Sequence, residues 1–167
     1  MKRSRWILMG LLLLAIVVAG GLYAHATRHP APVQPIAFSH ANHAGKRHIS
    51  CIYCHQGVAT TAHATIPPVE TCYECHRVVM PTNPDVQKVM AAYQRKEPLR
   101  WIRVTNLPDF VRFNHMRHIR RGVQCASCHG DVARMDRVVK ARALTMGECL
   151  QCHNQLKAPT DCFTCHH

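Results

Sequence analysis

All ten cysteines of this chain fall in five copies of one pentapeptide, Cys-x-x-Cys-His. The copies are Cys51-Ile-Tyr-Cys54-His55, Cys72-Tyr-Glu-Cys75-His76, Cys125-Ala-Ser-Cys128-His129, Cys149-Leu-Gln-Cys152-His153 and Cys162-Phe-Thr-Cys165-His166. This is the pattern of covalent c-type haem attachment. Two thiols three residues apart can each form a thioether to one vinyl group of the same porphyrin. The histidine that follows is then held beneath the iron as its proximal ligand. The cysteines and histidines therefore imply five c-type haems, with His55, His76, His129, His153 and His166 as proximal ligands.

Other uses of paired cysteines fit less well. Structural zinc needs four ligands per ion, usually from two Cys-x-x-Cys pairs, and five pairs cannot be matched two by two. A thioredoxin-like centre needs a single motif on a βαβ background, which is absent. A disulfide scaffold has no reason to repeat one pentapeptide.

A second pattern supplies candidates for the other side of each iron. Phe38-Ser-His40-Ala-Asn-His43 precedes the first haem motif and Phe113-Asn-His115-Met-Arg-His118 precedes the third, the phenylalanines lying 75 residues apart. Each segment is followed by two haem motifs, so the chain reads as two di-haem units with a fifth motif appended. Histidines at i and i+3 share a helical face yet are far enough apart to serve two irons. With His63, between the first two motifs, the expected distal ligands are His40, His43, His63, His115 and His118. His48, Met135 and Met146 are alternative axial ligands, and methionine in place of histidine would raise a haem's potential. His25, His29 and His167 are left over. Five proximal and five distal histidines close all five irons to substrate.

The elements that must position these residues are short. Lys2, Arg3 and Arg5 precede an uncharged apolar run from Trp6 to Ala24. That run is long enough to cross a hydrocarbon core of about 30 Å as a helix. Its basic flank places the N-terminus in the cytoplasm and the rest outside it. Ala24-His25-Ala26 has the form of a signal-peptidase site, but the run exceeds the usual apolar stretch of a signal peptide, which favours a retained anchor. Residues 28–167 are too few to build a large side-chain core around five porphyrins, so the cofactors must supply much of the interior. The expected fold is mainly α with much irregular structure, a haem-cored multihaem cytochrome c domain with one N-terminal transmembrane helix. The expected organisation is a basic flank and anchor (1–27), a first di-haem module (28–82), a connection (83–112) and a second module with the fifth haem (113–167).

In the connection, Asn83 as N-cap and Pro84 at the first helical position predict a helix from Asp85 to about Lys96, stopped by Pro98. Leu99-Arg-Trp-Ile-Arg-Val104 and Leu107-Pro-Asp-Phe110 follow. They read either as a partner-docking surface or as packing over the haems.

The formal net charge is +12. Five haems bring roughly ten propionate negatives, partly offset by ferric iron, so much of the excess neutralises cofactor. With no nucleic-acid-binding motif and an exported domain, a nucleic-acid partner is excluded.

The order of these motifs resembles a known family. Phe-x-His-x-x-His, the first haem motif, His63-Ala-Thr-Ile66-Pro67, Val69-Glu-Thr-Cys72 and the second haem motif are similar to the pentahaem cytochrome subunit of alternative complex III. So are Glu97-Pro98, Trp101-Ile-Arg-Val104, Leu107-Pro-Asp-Phe110 and Leu144-Thr-Met-Gly147. More broadly the pattern is cytochrome c3/c7-like. The resemblance implies a non-catalytic electron-transfer subunit of a quinol:acceptor oxidoreductase in a bacterial cytoplasmic membrane, with its haem domain in the periplasm. It further implies as partners a polytopic quinone-site subunit, an iron–sulfur subunit and a monohaem cytochrome, with a periplasmic cytochrome c or blue-copper protein as acceptor. Three other functions share some of these features: a small-substrate multihaem reductase, a stand-alone membrane quinol dehydrogenase and a soluble c3/c7-like carrier.

Overall fold

The computed structural model of the protein describes residues 2–27 and 31–167. Met1 and residues 28–30, which include His29 and the start of the expected first module, lie outside the described residues. The chain divides into two units, one through Pro30 and the other Ala31–His167.

The first unit is one helix, α1 (Lys2–Thr27). Its stretch Arg5–Tyr23 is long and apolar enough to cross a membrane. Apolar side chains point outward all round it, from Trp6 through Leu14 to Tyr23. A helix that is hydrophobic on every face is the pattern of a membrane span or a signal sequence.

The second unit is built from short helices: α2 (Cys51–Cys54), α3 (Val69–His76), α4 (Pro84–Arg95), α5 (His115–Arg120), α6 (Ala126–His129), α7 (Met146–Gln155) and α8 (Cys162–Cys165). Two 3-10 turns, Gln56–Ala59 and Val132–Arg134, and one π-helical turn, Ala41–Lys46, complete it. Among the described residues the β pairing is a single antiparallel bridge, Val111 with His166. The fold is mostly helical and irregular, as the sequence led us to expect.

Local chemistry accounts for the helix starts. The Asn83 side chain accepts from the backbone N–H groups of Asp85 and Val86 at 2.9 and 3.3 Å, with Pro84 just inside. Lys96 turns left-handed (φ 54°) and ends α4 before Pro98. Thr145 and Glu148 form a reciprocal capping box on α7. Asn114 caps α5 and Asp161 caps α8.

The side-chain core is small. Val89 and Ala92 of α4 meet Ile36 and Val69, and Phe38, Cys72, Tyr93, Leu99 and Trp101 pack around them. Tyr73 stacks on Tyr93 with ring centroids 3.6 Å apart, fixing α3 against α4. Leu99 and Trp101 thus pack inward, whereas Ile102 and Phe110 of the same connection are exposed. Gln34 clamps this strap by bonding both backbone groups of Ile102, each at 2.8 Å. Six apolar side chains, Val58 and Val86 among them, are buried among the described residues. For a chain this long they cannot offset the ordering entropy alone. Porphyrin faces packed against these helices would supply the missing apolar contact.

Candidate haem centres

Each Cys-x-x-Cys pair sits on one helical turn, so both thiols leave the same face. In three motifs the histidine N–H closes that turn onto the first cysteine's carbonyl: His55 to Cys51 (2.9 Å), His129 to Cys125 (3.0 Å) and His166 to Cys162 (2.8 Å). None of the ten cysteines pairs with another in a disulfide. Among the described residues no three His, Cys, Asp or Glu side chains converge on one metal point. A haem iron asks for two axial ligands rather than a cluster, and the histidines are arranged in twos.

Four proximal rings face a histidine of the Phe-x-His-x-x-His segments. His40 and His55 lie 6.5 Å apart, centroid to centroid, and are parallel within 4°. His115 and His129 repeat this at 6.4 Å and 8°. His43 and His76 lie 6.1 Å apart at 58°, and His118 and His153 lie 6.1 Å apart at 48°. Two imidazoles bonded at about 2 Å to opposite sides of one metal place their centroids roughly 6 Å apart. The spacing admits an iron and excludes direct ring stacking.

The orientation of the rings fits as well. Nδ1–H donates to a backbone carbonyl in His43 (to Ser39, 2.8 Å), His55 (to Thr65, 2.8 Å), His76 (to Val79, 3.0 Å), His115 (to Ala62, 3.1 Å), His118 (to Asn114, 2.7 Å) and His153 (to Pro159, 2.6 Å). A carbonyl can only accept, so Nδ1 carries the proton and Nε2 keeps its lone pair for a metal. In His40 the buried Nδ1 finds no partner. Burial, with His55 and His43 adding to it, holds that ring's pKa down to about 4. Burial also lowers His129, with His115 and His55 contributing. Both rings are therefore held in the neutral form that binds iron.

The phenylalanines do more than mark the repeat. Phe38 meets His40 edge-on (4.9 Å, 86°) and stacks on His43 (4.3 Å, 25°). Phe113 meets His115 edge-on (4.7 Å, 84°) and stacks on His118 (4.5 Å, 24°). One phenyl ring thus sets the angle of two ligand rings. The sequence showed these residues only as a repeated letter, and the 75-residue echo was the signal that could have marked them.

The remaining candidates stand apart from these pairs. His63 is exposed, held by backbone bonds to Thr61, and no histidine ring stands against it among the described residues. His166 has Phe110 at 5.8 Å where the other proximal rings have a histidine. Its backbone is tied down by Arg112 N–H donating to Cys165 (2.7 Å) and by the bridge to Val111. His48 is exposed with φ 55°, and His167 is exposed. Met135 is half-buried beside Gly130, and Met146 opens α7 with its side chain exposed.

Thiols of different motifs lie close together. Burial raises Cys54, and Cys75 raises it further; burial and then Cys54 raise Cys72. Cys125 is raised by burial and then by the Cys51 thiol. Burial raises Cys128 with help from Cys152, and raises Cys149 with help from Cys128 and Cys165.

Known proteins resemble this arrangement. Residues 111–167 match the family described as cytochrome c7 and related cytochrome c, a stretch that opens two residues before Phe113. The multihaem cytochrome c subunit of menaquinone reductase from Nitratidesulfovibrio vulgaris is 28% identical, over 80% of this chain and 76% of its own length. The C-terminal part is thus similar to cytochrome c7 and related cytochrome c, and most of the chain is similar to a multihaem cytochrome c subunit.

Proposed function

We propose that the chain is a membrane-anchored subunit carrying five haems, which relays electrons between a quinone-site membrane complex of the alternative complex III type and a periplasmic redox protein. The observation that carries this reading is the set of four histidine pairs spaced for an iron, six of their eight rings locked by a backbone carbonyl. Bound c-type haems would supply one-electron exchange with no proton or bond transferred. The chain's residues attach, orient and tune. Each cysteine pair would make two thioethers to one haem, and His55, His76, His129, His153 and His166 would each ligate its iron. His40, His43, His115 and His118 would supply the second ligand to the irons held by His55, His76, His129 and His153. His63 is the histidine left for the fifth motif. Closed coordination on both sides leaves no site for a substrate, so the subunit by itself is not an enzyme.

The reading places the basic flank in the cytoplasm, α1 across the membrane and residues 31–167 in the periplasm. Partners would be a polytopic quinone-site subunit, an iron–sulfur subunit and a monohaem cytochrome, with a cytochrome c or blue-copper protein as acceptor. The similarity to a menaquinone reductase subunit favours a second reading, in which electrons run inward to the quinone.

Gentle purification from native membranes, followed by mass spectrometry, tests the proposal. A quinone-site subunit and an iron–sulfur protein should co-purify, and a protein that runs alone in the soluble fraction refutes it. Haem reduction by added quinol, against quinone reduction by pre-reduced haem, separates the two directions.

A further inference from the structure

We propose that the five attachment sites form one unbranched row whose spatial order is second, first, third, fourth, fifth motif. The second and fifth are its ends, and the first and third are the link between the two halves. This rests on the five-haem relay reading above and adds the path within it.

Three kinds of contact place the neighbours. Within each half, two histidines on one short segment serve consecutive motifs. His40 and His43 face the first and second, and His115 and His118 face the third and fourth. Side chains brace the same neighbours. Tyr53 of the first motif donates to Glu74 of the second at 3.2 Å. Arg142 donates to the Ser127 carbonyl in the third motif at 2.9 Å and pairs with Glu148 beside the fourth at 3.4 Å.

Between the halves, the contact is reciprocal. Ala41 N–H donates to the Met135 carbonyl at 3.0 Å, and Met116 N–H donates to the Thr61 carbonyl at 3.2 Å. Ala41 and Met116 each follow the first histidine of their segment. Thr61 and Met135 each lie in the chain leaving the first haem motif of their half. The exchange therefore presses the first and third motifs together and turns the second and fourth outward on opposite sides.

One more contact completes the row. His153 of the fourth motif donates Nδ1–H to the Pro159 carbonyl at 2.6 Å, three residues before Cys162, and so keeps the fifth motif beside the fourth. Chain order and path order thus differ, because the reciprocal seam inverts the first half.

The decisive measurement is the position of the irons in the haem-loaded protein, from anomalous scattering at the iron edge. Five peaks are expected, those at the second and fifth motifs having one near neighbour and the other three having two. A second or fifth iron with two near neighbours overturns the order, as does a link between halves through any pair but the first and third. Fewer than five peaks overturns it together with the five-haem reading. Five peaks in this row from a protein that co-purifies with no quinone-site subunit would leave the order standing and the assigned complex refuted.

Solution potentiometry gives an independent readout. His43→Met and His115→Met, each checked for full haem content, raise the potential of one iron. The altered iron should shift the titration of one other haem in His43→Met and of two in His115→Met. Equal numbers in the two variants would overturn the row.

Discussion

Ala41 donates its backbone N–H to the carbonyl of Met135, and Met116 returns the same bond to Thr61. The two copies of an internal repeat thus hold each other as two subunits of an isologous dimer would. Ser39 adds a side-chain bond to Asp136 at 2.6 Å. The opposite side of the seam has His115 donating to Ala62 instead. The repeat is therefore matched in backbone and individual in side chains.

Gly45 is where this seam leaves no room. A Cβ there would collide with the Ala133 carbonyl. Gly45→Ala should lower the stability of the haem-loaded protein by about 1–3 kcal/mol, the usual cost of overpacking. Arg120, at the corresponding place in the second segment, is exposed. Arg120→Ala should stay within about 0.5 kcal/mol. Denaturant unfolding of the two variants side by side measures the difference.

Removing a distal ring should open one iron and no other. His118→Ala is expected to convert one haem of the oxidised protein from low to high spin, read by electron paramagnetic resonance, while the remaining low-spin signals persist. His48 is exposed and faces no proximal ring, so His48→Ala should leave the spectrum unchanged.

Phe113 touches both ligand rings of its segment. Aromatic pairs are worth about 0.5–1.5 kcal/mol each beyond their burial, so Phe113→Ala should cost about 1–3 kcal/mol. It should also broaden the low-spin signals of two haems together. Broadening of a single signal, or of all of them, would show that the phenyl ring does not set the angle of this pair.

The cap on α4 tests whether the connection is a structural strap. Asn83→Ala removes an acceptor from two backbone donors and should cost about 1 kcal/mol. For a chain of this size that lowers Tm by about 2–4 °C. Asn83→Asp keeps the acceptor and should hold Tm near that of the parent, as followed by far-ultraviolet circular dichroism.

The apolar helix α1 can be tested by partition. Replacing residues 1–27 with a cleavable export signal should move the free subunit from the membrane fraction to the soluble periplasmic fraction with its haem content unchanged. Haem-stained gels of the two fractions measure this outcome.

The sequence by itself determined what depends on neighbours a few residues apart. Cys-x-x-Cys-His names its cofactor because two thiols and a histidine on one turn meet one porphyrin. Asn83-Pro84 marks a helix start because a side-chain oxygen reaches the next free N–H groups; α4 begins at Pro84, one residue before the expected start. The run from Trp6 announces a helix apolar on every face. What only the tertiary structure decided joins residues far apart in the chain. Nothing local says that His118 faces His153, that Phe38 touches two ligand rings, or that Ala41 bonds to Met135 and Met116 to Thr61. His63 shows the same limit from the other side. Counting makes it the fifth distal ligand, and its place is set by backbone bonds to the Thr61 hydroxyl, with no histidine ring against it among the described residues. Spacing along the chain selects the chemistry of each site, and packing across it selects which sites touch.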